Sequence, residues 1–145
     1  MNKDLLPKKL GEVEAFARVG LEMLARAGDT AETAFGERLV TEIKMSLQSH
    51  VDTVSLRSDS AKADRTTAKV RDMMEQYIGD EWDNPIELLE WSGFYLGAAG
   101  IHWSLVASLS DDEADAAMMK YAAAQANLFY QWLEQAFVRI QQQKC

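Results

Sequence analysis

Nineteen consecutive residues, Trp91 to Leu109 (WSGFYLGAAGIHWSLVASL), carry no formally charged side chain in a chain that is 26% charged. Such a stretch is either a membrane span or the central helix of a water-soluble core. His102, Ser92, Ser104 and Ser108 dilute its apolar character. Its flanks are acidic on both sides (Glu87 and Glu90; Asp111, Asp112, Glu113 and Asp115). No Lys or Arg lies between Arg71 and Lys120 to orient it across a bilayer. The remaining helical patterns are amphipathic and require a soluble core. The expectation is therefore no membrane span, and a helix buried on most sides by other helices.

With 145 residues, the chain is expected to form one domain, 1–145, large enough to bury a core without staples. Two prolines and eight glycines are few, which favours helix. A first helix begins near Leu6, with Pro7 in its first turn, and shows an apolar stripe at Leu6, Leu10, Val13, Ala17, Gly20 or Leu21, and Leu24. Gly28 ends it, and Asp29 or Thr30 caps a second helix with Glu32 completing a capping box. That second helix carries Gly36, Val40, Ile43, Leu47, His50 and Val54 at alternating spacings of four and three. A polar crossover follows near residues 56–61. The third helix, about Ala63 to Ile78, stops at Gly79, and Asn84-Pro85 starts the fourth, which runs to about Leu109. Ser110 and Glu113 form a capping box for the fifth, about Asp111 to Gln142.

The fold expected is all-α: a four- to five-helix bundle with a central antiparallel hairpin of the fourth and fifth helices. Folding about Ser110 brings the small-residue seam Gly93, Gly97, Gly100, Ser104 and Ala107 toward Ala122, Ala123 and Ala124, with Gly97 opposite Ala123. On that register Gly97→Leu overpacks the seam and costs about 1–3 kcal/mol. The fourth helix spans about 25 residues and the fifth about 32. Roughly 10 Å of the fifth then overhangs its partner at 1.5 Å per residue.

Chemical motifs are sparse. His50 and His102 lie on apolar faces, but neither has a carboxylate or second histidine at i±3 or i±4, so hydrogen-bonded core histidines are expected rather than metal ligands. The acidic connector Asp80–Asn84 lacks the spacing of a calcium loop and reads as cap and turn. Glu87 and Glu90 suit the positive end of a helix dipole better than acid–base work. Cys145 is the single cysteine and precludes an internal disulfide. Together with the absence of an apolar leader segment it makes a reducing cytoplasm the expected compartment. No catalytic residue, metal or cofactor is expected.

Charge and aromatics carry the functional signal. Net charge is −8, and residues 73–115 hold ten acidic groups and no basic one, which repels a phosphate backbone and excludes nucleic acid. Eleven of thirteen aromatics fall between Tyr77 and Phe137. Core packing is their first use, but Trp91, Tyr95 and His102 share a face that, with Tyr121 or Trp132, is a candidate ligand pocket or interface. The fifth helix repeats Phe129, Leu133, Phe137 and Ile140 into the overhang, where a second subunit would bury them. The reading that follows is a non-enzymatic interaction protein, a homo-oligomer or an acidic adaptor for a protein partner. Its alternative is a small-ligand or cofactor binder using the aromatic and histidine face.

Overall fold

The structure, a computed structural model, describes residues 5–109 and 115–142. Among these residues there are six helices and no strand: α1 (Leu5–Ala27), α2 (Asp29–Phe35), α3 (Glu37–Val54), α4 (Ser60–Ile78), α5 (Pro85–Leu109) and α6 (Ala116–Gln142). The chain is an all-α bundle. The second expected helix is two, because Gly36 adopts φ 87°, a backbone conformation that glycine alone enters cheaply and that no α-helix continues through. Gly28 and Gly79 end α1 and α4 with φ of 54° and 60°. Gly28 itself takes the N-cap of α2 without a side-chain cap, so Asp29 lies inside the first turn instead. The crossover after α3 is short: Asp59 caps α4 by accepting from the Lys62 N–H at 3.0 Å, and its own N–H reaches the Pro7 carbonyl at 3.0 Å. Asn84 Oδ1 accepts from the Ile86 N–H at 3.1 Å and starts α5.

Two helices are central. α5 packs against α1, α2, α4 and α6, and α1 packs against α2, α3, α4 and α5. Every residue of α1 from Leu10 to Ala17 is buried. The stripe Leu39, Ile43, Leu47, His50 and Val54 turns α3 inward, and Val70, Met74 and Ile78 do so for α4. Met73 and Tyr77 on the same helix are 52% and 39% exposed. α3 lies farther out: none of its Cα atoms comes within 8 Å of one in α5 or α6. The gap is filled by rings, His50 standing 4.9 Å from Trp103 and 5.7 Å from Phe129.

The α5–α6 hairpin forms, but its register differs from the one expected. A Cβ placed on Gly100 would lie 3.1 Å from the Tyr130 ring and 3.4 Å from Phe129 Cβ, and Ser104 Oγ is 3.3 Å from the Tyr130 hydroxyl. Folding about Ser110 would have set Tyr130 opposite residue 90. The described part of α6 begins at Ala116, and the Ser110–Glu113 capping box lies outside the described residues. Consequently Gly93 and Gly97 meet nothing, with no atom within 4 Å of a built Cβ. Ala123 and Ala124 are exposed. The glycine seam does not pack on the alanine run, and the loss expected for Gly97→Leu is withdrawn. The overhang shrinks too, because α5 has 25 residues and α6 has 27.

Candidate functional site

The residues singled out on α5 do share a face, and that face is core. Trp91 and Tyr95 are 4% and 3% exposed. The Tyr95 hydroxyl donates to the Phe16 carbonyl of α1, and burial pushes its pKa far above the ordinary tyrosine value. Tyr95 borders an apolar void of only about 20 Å³ with Gly20, Leu47 and Leu96, room for about one water molecule. His102 sits beside Phe16 at 5.0 Å between ring centroids. Its Nδ1 is 2.8 Å from the Ala98 carbonyl and its Nε2 2.9 Å from Glu12 of α1. The same carboxylate meets Lys9 at 3.1 Å and Lys62 at 3.6 Å.

Tyr121 and Trp132 look the other way, toward α3. The Tyr121 hydroxyl is 3.4 Å from Ser49 Oγ, and Trp132 Nε1 donates to Glu42 at 3.2 Å. Trp91, Tyr95 and His102 thus face α1, while Tyr121 and Trp132 face α3. His50 Nε2 is 2.7 Å from Gln125 Oε1, its ring fully buried. Glu87 hydrogen-bonds Glu81, which raises its carboxyl above the ordinary carboxylate range, while Glu90 accepts from the Tyr77 hydroxyl at 3.1 Å. No group of three or more His, Cys, Asp or Glu side chains able to hold a metal occurs among the described residues. No described helix is long and apolar enough to cross a membrane.

What α5 leaves uncovered is its opposite face. The helix is apolar nearly all round, yet its neighbours cover only part of the circumference. Phe94 is 61% exposed and Ile101 56%, with Leu105 and Ile86 also open. These positions follow one another at helical spacing along a single side, with the bare Gly93 and Gly97 beside them. Across the hairpin, Tyr130 is fixed at the Gly100–Ser104 turn and Phe137, 57% exposed, lies two turns further along α6. Antiparallel pairing brings Phe137 to the level of Phe94. At its other edge the patch continues onto α4, where the Tyr77 ring stands 5.2 Å from that of Phe94. Over Trp91–Leu109 and Ala116–Val138 the only charged residues are Lys120 and Glu134.

Of the four α6 residues expected at an interface, Phe137 and Ile140 are exposed, Leu133 is half-buried against the core and Phe129 is fully buried within it. Phe94 and Ile101 escaped the sequence reading; their signal was the lack of any polar side to α5. Comparison of the chain with known protein families, with characterised proteins and with solved structures finds no match.

Proposed function

We propose that this is a non-enzymatic interaction protein that pairs with a second copy of itself through the open face of the α5–α6 hairpin. The observation that carries the reading is the exposure of Phe94, Ile101 and Phe137, all above half, on adjoining faces of α5 and α6 where Glu90, bonded to Tyr77, and Glu134 are the nearest acidic groups. Exposed apolar patches of this continuity mark interaction sites. A chain of net charge −8 repels its copies wherever acidic groups face one another. A face poorer in acidic groups than the rest of the surface is where two such chains meet at the least electrostatic cost. Gly93 and Gly97 present bare backbone there, which lets a partner helix approach closely. Two-fold pairing of one patch with itself closes the assembly and avoids open-ended growth. A reducing, cytoplasmic setting suits the single cysteine.

Sedimentation velocity at micromolar concentration is the test. The wild type should run as a dimer, and Phe94→Glu combined with Phe137→Glu should run as a monomer of unchanged helicity, since both side chains are exposed. A wild type that stays monomeric up to about 100 µM, a concentration at which only millimolar affinities escape notice, would sink the reading. Retention of a basic protein by the monomer would then favour the adaptor alternative.

A further inference from the structure

On the far side of α6 the helices are held apart rather than packed. Three side-chain bridges, Glu42–Trp132, Ser49–Tyr121 and His50–Gln125, set α3 and α6 antiparallel. Outward of the Glu42 bridge the gap widens into a cleft of about 710 Å³. That volume falls within the span of roughly 300–1,000 Å³ typical of small-molecule sites. Its apolar lining is Phe35 and Leu39, both buried, and the more exposed Val138.

Two arginines stand in this cleft. Arg139 is fixed: Nε donates to the Ala34 carbonyl at 3.1 Å and Nη2 to the Thr33 carbonyl at 3.2 Å. Its guanidinium lies over Gly36, where a Cβ would come within 3.5–3.7 Å of it. Anchoring through one edge leaves the Nη1 donors unused and the group preorganised. Arg38 makes no hydrogen bond or ion pair among the described residues and is exposed. The acidic groups are placed differently. Glu42 is engaged by the Trp132 indole at the inner end, one helical turn beyond Arg38. Glu134 is five residues from Arg139, about 7–8 Å along α6. The cleft thus combines an apolar lining with two arginines and two glutamates, the fixed Arg139 at one end and Glu42, held by Trp132, at the other.

We propose that the cleft binds a small amphiphilic organic anion. Its carboxylate or phosphate head is held by Arg38 and Arg139, and its apolar body lies on Phe35, Leu39 and Val138. Planar guanidinium groups hold such heads through paired, charge-assisted hydrogen bonds. The fixed Arg139 sets the position of the head, and Arg38 closes on it.

The test uses the whole chain and four probes of one chain length: octanoate, octyl phosphate, octylammonium and octan-1-ol. Binding is followed by isothermal titration and by the ¹H–¹⁵N signals of the Gly36 amide and the Arg139 Nε–H. Octanoate or octyl phosphate should shift both signals saturably, and whichever binds tighter identifies the head group. Arg38→Ala, at an exposed residue with no partner to lose, should weaken that binding about tenfold or more. Arg139→Lys keeps the charge but loses the planar fork, and should also weaken it. Octan-1-ol or octylammonium binding as tightly as the anions would overturn the proposal. So would an Arg38→Ala affinity equal to that of the wild type, or no shift with either anion at millimolar concentration.

Discussion

His50 is fully buried, hydrogen-bonded at Nε2 and without a partner at Nδ1 among the described residues. Burial disfavours its charged form and lowers the pKa from 6.5 to about 4, the Gln125 hydrogen bond opposing the shift only in part. The unfolded chain therefore takes up this proton before the folded one does. Stability from His50 is complete above pH 6.5 and is lost as pH falls through the window down to about 4. The 2.5-unit gap between those two values corresponds to roughly 3 kcal/mol. Urea unfolding of wild type and His50→Leu at pH 7.5, 5.5 and 4.5 separates this loss from that of the carboxylates, which both proteins share. Parallel decline of the two would show that His50 contributes nothing. Two glycines one might treat alike behave oppositely. A Cβ on Gly20 would overlap the Tyr95 hydroxyl and Leu47, so Gly20→Ala should destabilise by about 1–3 kcal/mol through overpacking and loss of the Phe16 hydrogen bond. Gly97→Ala, made in the Phe94→Glu, Phe137→Glu background so that no second copy covers it, enters open space inside a helix and should stabilise by about 0.5–1 kcal/mol. Urea midpoints of the two variants, moving in opposite directions, are the check.

At the scale of the element, α4 depends on a single side chain at its start. Asp59 accepts from the Lys62 N–H, and Asp59→Ala should cost about 1 kcal/mol, read as a lower urea midpoint with unchanged slope. A shift below a few tenths would mean that the Pro7 carbonyl contact alone orders this turn. Such starts and stops were readable because their residues act locally: Gly28, Gly79 and Asn84 do in the structure what their chemistry dictates at a helix end. The buried stripes of α3 and α4 were readable because helical periodicity survives folding. Neighbours were not. The helical face holding Trp91, Tyr95 and His102 was correctly grouped, but periodicity says which residues point together, never what they point at. The answer here is α1, whose Phe16 carbonyl and Glu12 carboxylate supply the partners. Those acids explain a second omission. Glu12 and Glu14 in GEVEAFARVG were not singled out from the sequence, yet both are buried, Glu12 among Lys9, Lys62 and His102 and Glu14 against Arg18 and Ser58. Lys62, His102 and Ser58 are more than forty residues away in sequence, so the local pattern held no sign that these charges were satisfied. The hairpin register failed for a related reason: it is set by contacts between the two helices, such as Gly100 and Ser104 against Tyr130, and a cap motif carries only local information.

For the whole molecule, the open face of α5 and α6 links self-association to stability. Any state that binds only the folded chain raises its unfolding temperature by mass action. If two copies bury Phe94, Ile101 and Phe137 against each other, each tenfold rise in concentration adds about 1.4 kcal/mol per dimer, or half that per protomer. A chain of 145 residues unfolds with an entropy of roughly 0.3 kcal/mol/K. The midpoint of the wild type should therefore climb by about 2 °C per decade between 1 and 100 µM. The Phe94→Glu, Phe137→Glu variant should melt at one temperature throughout that range, close to the dilute limit of the wild type, because neither residue supports the intrachain core. Differential scanning calorimetry across the dilution series gives both slopes. A variant that melts lower than the dilute wild type would place these rings in the core instead. A wild type with no slope would mean that the face meets no second copy, and the homodimer would have to be abandoned for a partner of another kind.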